Sequence, residues 1–193
     1  MTSVALVFHG PTSYPATKNF RNALCNFAGG QPSPNFGSAI FTEVYLLLSS
    51  EGGSVEDAFS LYNLMRMLPA KIITVNMGQI ASAGNIPFLA GDERWACENS
   101  YFHFHNLSFF YDKPQSLHRI QMQDHVQIVD KERDLYLSIF KERTKLSDAQ
   151  FKSLKFLEEP LIKDAGFALD AGIIQKIGMP SIPSGTPILN IDY

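Results

Sequence analysis

The sequence predicts an α/β domain, and three observations carry that prediction. Residues 4–8, 43–50 and 71–77 are short apolar runs with the length and composition of buried strands. Segments with helical spacing follow them. Glycine or proline punctuates most of the junctions. Strand–helix alternation of this kind calls for a largely parallel sheet with right-handed crossovers. At 193 residues and 45% hydrophobic content, the chain reads as a single domain, 1–193, with a substantial core.

The elements follow in order. Residues 4–8 end at His9-Gly10-Pro11, as a buried strand does. Residues 15–27 place Phe20, Leu24 and Phe27 on one helical face, and residues 29–37 form a loop by their glycine and proline content. Strand 43–50 breaks at Gly52-Gly53, after which Ser54 caps a helix carrying Val55, Ala58, Phe59, Tyr62 and Met65. Leu68-Pro69 ends that helix, and strand 71–77 runs into Gly78-Gln79-Ile80-Ala81-Ser82-Ala83-Gly84. Residues 86–90 read as a short helix stopped by Gly91, and Pro87 within it implies a kink or a late start. Residues 94–97 form a short strand. Residues 101–105 form another, with Tyr101, His103 and His105 on one face. Residues 116–143 make a long polar helix whose apolar contacts are Leu117, Ile120, Val129, Leu137 and Phe140. Ser147-Asp148-Ala149-Gln150 has capping-box spacing, a last short helix ends near Gly172, and a proline-rich tail follows.

Composition excludes several function classes. A net charge of −3 offers no basic surface for nucleic acid or acidic lipid. Cys25 and Cys97 lie far apart and read as reduced thiols, which makes the cytoplasm the expected location. No apolar run spans a bilayer. His103 and His105 have no carboxylate or cysteine at ligating spacing, so no metal is expected.

Ser82 reads in two ways. A serine between a strand and a helix is commonly an N-cap. Flanked by small residues, it can equally be an activated nucleophile beside helix amides. The glycines at 52 and 53, between a strand and a helix, can aim backbone N–H groups at an anion.

Three motifs tip the balance. Gly-Gly-Ser-Val at 52–55, Gly-Gln-x-Ala-Ser-x-Gly at 78–84 and Asn-Ser-x-x-x-x-His at 99–105 stand in an order that resembles the proteolytic subunit of the Clp (caseinolytic) serine proteases. The resemblance implies the fold shared by Clp proteases and crotonases: repeated strand–helix units with a projecting handle helix, here about residues 113–145. It implies Ser82 as nucleophile, His105 as general base, and the N–H groups of Gly53 and Ala83 as oxyanion hole. Gly52 is then conformational, Gln79 a turn contact, and His103 a rival base. Counting forward from Thr144 and Ser147 puts the orienting acid at Glu158, whereas counting back from Gly172 puts it at Pro160; Glu159 and Asp164 are lesser candidates.

The implied activity is a serine endopeptidase without cofactor, acting on peptides or unfolded proteins inside a homo-oligomeric ring. The chain enters its first strand almost at once, and an ATP-dependent unfoldase partner stays open. The aromatic run at 106–111 suits packing or a substrate groove. Two other readings stand: an inactive Clp-like structural subunit, and a crotonase-type acyl-CoA enzyme.

Overall fold

The apolar runs become the middle of one sheet. In the computed structural model, which describes residues 2–32, 36, 39–109 and 116–191, they are β1 (Ser3–His9), β2 (Glu43–Ser50) and β3 (Lys71–Ala81). Around them lie β4 (Glu93–Ala96), β5 (Tyr101–Phe104), β6 (Leu161–Asp164), β7 (Lys176–Ile177) and β8 (Ile188–Asn190). The order is β6-β5-β3-β2-β1-β8, with β4 joining β3 to β7 off that path. Every pairing is parallel except β5 with β6. Both faces of β1 and β2 are covered, which is why they read as continuous apolar runs instead of alternating ones.

Strand β3 runs four residues past its expected end at Met77 because it changes partner. Its first half pairs with β4, from Ile73↔Glu93 to Asn76↔Ala96. Its second half pairs with β5, from Gln79↔Tyr101 to Ala81↔His103. Asn76, fully buried, fills the fork where two ladders diverge. Its Nδ2 donates to the Tyr101 carbonyl at 2.9 Å, its Oδ1 accepts from Gly78 N–H at 3.0 Å, and its own carbonyl accepts from Cys97 N–H at 3.0 Å. These bonds serve backbone groups that the split ladder would otherwise leave unpaired.

Helices α1 (Ala16–Ala28) and α2 (Val55–Met67) cover one face of the sheet. Ser54 caps α2 as expected, its Oγ accepting from Asp57 N–H at 3.1 Å. A 3-10 turn, Ser82–Gly84, precedes α3 (Asn85–Leu89), so the helix starts late. Pro87 then lies in the first turn, where an N–H has no helical partner to lose.

The long helix α4 (Arg119–Arg143) buries only Tyr136 and Phe140, both near its C-terminal end. Ile120, expected as an apolar contact, is 78% exposed, because the first half of α4 projects past the sheet. The handle expected from about residue 113 begins partly outside the described residues. Helices α5 (Asp148–Ser153), opened by the Ser147 capping box, and α6 (Ala165–Asp170) complete the set.

Buried Arg94 ties three helix ends together. Its guanidinium donates to the carbonyls of Ile173, Gly91, Arg143 and Gly172 at 2.7–3.2 Å. Carbonyls at helix C-termini carry partial negative charge, so they balance a buried cation that lacks a carboxylate. Burial, ahead of the nearby Arg143, pulls the Arg94 pKa down to about 10, still far above neutrality. Among the described residues, no helix is long and apolar enough to cross a membrane.

Candidate active site

Ser82 stands where β3 ends. Ala81 is extended (φ −123°), and Ser82 turns abruptly to φ 51°. A non-glycine residue in the left-handed region costs about 1–2 kcal/mol, so its surroundings must impose it. Two side chains converge on the Ser82 carbonyl. Asn85 Nδ2 donates at 2.9 Å and the Tyr136 hydroxyl at 3.0 Å. Asn85 Nδ2 also donates to the His103 carbonyl at 3.1 Å, locking the turn to β5. Burial pushes the Tyr136 hydroxyl pKa far up, so it remains a donor. The N-cap reading of Ser82 is not realised: neither the 3-10 turn nor α3 has a side-chain cap, and the N-cap of α3 is Gly84. The serine hydroxyl makes no hydrogen bond among the described residues. Such a strained strand-to-helix turn is a recurrent way to present a nucleophile.

The two glycines do different work. A Cβ on Gly52 would stand 2.5 Å from Ser82 Cβ and 3.1 Å from Ala83 N, and its φ of 96° disfavours any side chain. Only glycine lets this loop pass so close to the serine. Gly53 is pressed against Thr12 instead, where a Cβ would meet backbone at 3.0 Å. Thr12 N–H donates to the Gly52 carbonyl at 2.8 Å and Gly52 N–H to Ser50 Oγ at 3.2 Å. Those bonds fix the loop without using the Gly53 amide.

His103 is in register with Ala81, and His105 lies just past the end of β5. Neighbouring strands are about 4.8 Å apart, so Ser82 and His105 leave adjacent strands at the same end of the sheet. Both side chains are half-buried. His105 Nδ1 lies 2.8 Å from the Asn106 carbonyl. A carbonyl only accepts, so Nδ1 carries a proton, and in the neutral ring the lone pair is on Nε2. The rings of His103 and His105 sit 5.3 Å apart. Burial, and secondarily His105, holds His103 below the usual imidazole pKa.

The acid corner is built differently. The β5–β6 ladder pairs His103 with Ile162 and Phe104 with Leu161. Carried one step further, it sets Pro160 across from His105, and proline has no carboxylate to offer. Glu158 lies in the turn before it, exposed, with no side-chain hydrogen bond among the described residues. Its backbone N–H donates to the Lys155 carbonyl at 2.9 Å. Glu159 pairs with Lys155, and Asp164 is engaged as the N-cap of α6, accepting from Phe167 N–H. Lys155 and Leu157 both have positive φ, 46° and 63°. Gln79, expected at a turn, instead lies within β3 and accepts from the hydroxyl of its cross-strand partner Tyr101 at 2.8 Å. Of the aromatic run, Phe109 stacks on His125 of α4 at 4.2 Å; Phe110 and Tyr111 lie outside the described residues.

Sequence reasoning missed Asn76, Asn85 and Tyr136. The first two carried a usable signal, an amide beside a glycine-rich turn. Tyr136 carried none, since it meets Ser82 from 54 positions away.

Comparisons with known proteins bear on the family and the fold. The Clp protease family model matches residues 39–181. The chain is 27% identical over 137 residues to the ATP-dependent Clp protease proteolytic subunit of Deinococcus radiodurans, covering 70% of this chain and 64% of that one. It is 28% identical over 90 residues to proteolytic subunit 2 of Pseudomonas aeruginosa, 46% of this chain and 45% of that one. With these two and the Treponema denticola subunit 2, the matched stretches span 32–64% of the relatives' length. Among solved structures, a ClpP1 mutant from Listeria monocytogenes superposes with a TM-score of 0.70 over 92% of both chains at 15% identity, a likeness of fold. The mixed α/β architecture, the turn at Ser82 and the span of the family match lead to one conclusion: the chain belongs to the Clp protease family.

Proposed function

We propose that this chain is a serine endopeptidase with Ser82 as nucleophile and His105 as general base. The carrying observation is the Ser82 turn, strained to φ 51°, uncapped, and faced by a glycine where any Cβ would collide. His105 Nε2 takes the hydroxyl proton as Ser82 Oγ attacks the peptide carbonyl. The N–H groups of Gly53 and Ala83 bind the oxyanion, and the imidazolium then protonates the departing amine. In this conformation the Asn106 carbonyl holds the Nδ1 proton in the acid's usual place. Glu158 would replace it once the 154–160 turn carries its carboxylate to the ring.

Peptide or unfolded protein is the substrate this reading implies, and a homo-oligomeric ring is the setting. Ile120, Met122 and Val126 on the projecting half of α4 are exposed and supply the apolar contacts for assembly. An ATP-dependent unfoldase is the partner this reading leaves open; the Deinococcus relative is named as a subunit of an ATP-dependent protease. Cytoplasmic location is part of the same proposal.

A second reading has an observation of its own. Pro160 across from His105 favours a weak or inactive subunit that serves assembly. A fluorogenic peptide assay on the purified oligomer separates the two. Turnover that Ser82→Ala abolishes supports the peptidase; no turnover in an intact oligomer supports the structural subunit.

A further inference from the structure

We propose that His103 and His105 form a two-histidine chelate for a borderline divalent cation, Zn²⁺ in the first instance, beside Ser82. Its silencing effect rests on the peptidase reading above: an occupied chelate takes the Nε2 lone pair that the serine proton needs.

Spacing is the first argument. Residues two apart on extended backbone share a face, and the imidazoles of His103 on β5 and of His105 just past its end are two apart. A tetrahedral ion about 2.1 Å from one nitrogen of each ring sets the ring centroids about 5 Å apart; these lie 5.3 Å apart at an interplanar angle of 50°.

Availability is the second. His105 donates its Nδ1 proton to the Asn106 carbonyl at 2.8 Å, which leaves Nε2 as the donor to a metal. An outer N–H bound to a carbonyl is the usual companion of a metal-bound histidine. Neither ring nitrogen of His103 has a hydrogen-bond partner among the described residues, so either one is available to a metal. Tyr101, third on the same face, is occupied with Gln79 at 2.8 Å, so water or substrate completes the coordination.

Selectivity follows from the donor set. Imidazole nitrogen suits Zn²⁺, Cu²⁺ and Ni²⁺, while Mg²⁺ and Ca²⁺ demand oxygen. Two neutral ligands without a carboxylate bind moderately, which makes the chelate a reversible brake instead of a resident cofactor. No group of three or more His, Cys, Asp or Glu side chains is found among the described residues, this pair included, so the protein supplies only two ligands here.

The test titrates the EDTA-stripped full chain with ZnCl₂ by calorimetry and assays peptide turnover in parallel. The expected result is one Zn²⁺ per chain, no binding of Mg²⁺, and turnover that falls with occupancy. His103→Ala and His103→Gln should each weaken Zn²⁺ binding roughly tenfold or more and raise the zinc needed for half-inhibition by the same factor. The glutamine variant keeps a polar side chain of similar size, which guards against a folding defect. Wild-type affinity in both variants, or saturation that leaves turnover unchanged, overturns the proposal. A wild type that binds Zn²⁺ through His103 yet never cleaves peptide upholds the chelate and removes the peptidase reading.

Discussion

The Ser82 turn, proposed to carry the nucleophile, and the 154–160 turn, expected to supply the acid, are built to different standards. At Ser82 a left-handed serine is held by Asn85, by Tyr136 from α4, and by a glycine pressed against its Cβ. It ends a strand that is paired along both sides. At residues 154–160 there are also left-handed residues, Lys155 and Leu157, but the glutamates are exposed and the chain leads into edge strand β6. Strain at the first is balanced by part-buried hydrogen bonds to the Ser82 carbonyl. Strain at the second shapes a turn whose carboxylates face solvent. A site can thus keep its nucleophile rigidly fixed while its orienting group is free to vary.

Six substitutions test that contrast, and the largest effect belongs to the rigid half. Ser82→Ala should cut peptide turnover roughly 10⁴-fold or more while the thermal melt stays in place. Gly52→Ala should cost about 10²-fold in turnover, since a methyl there displaces Ser82; unchanged turnover would refute the close approach. Pro160→Asp probes the other half. It places a carboxylate across from His105 and should raise turnover at least about tenfold, part of the ~10⁴ that an orienting acid is worth. In the same assay Glu158→Gln should reduce turnover more than Glu159→Gln, and equal rates would remove Glu158 from the acid's role. Smallest, Tyr136→Phe removes one donor to the Ser82 carbonyl and should lower stability by about 1 kcal/mol in urea titration, with a severalfold loss of turnover.

Much of the rigid half was legible because its signals are local. Gly52-Gly53 and the small residues around Ser82 are read within one turn of chain, and strand lengths followed from continuous apolar runs. The extension of β3 to Ala81 was not legible, because it depends on β3 exchanging β4 for β5 at Asn76. Tyr136 was hidden for a similar reason: its hydroxyl serves a carbonyl on another element, and no periodicity encodes that contact. Ile120 misled because an apolar residue on a helix suggests a core, whereas the first half of α4 lies beyond the sheet. The acid corner resisted because two counts through it, from Thr144 and from Gly172, disagree. Extending the ladder one residue past Phe104↔Leu161 points to Pro160, which has no carboxylate.

The most direct measurement is labelling of the assembled protein with a fluorophosphonate probe, with the adduct located by peptide mass mapping. The account predicts a single adduct on Ser82 that disappears in His105→Ala. A folded oligomer that takes no label at Ser82, or labels equally without the imidazole, would contradict it.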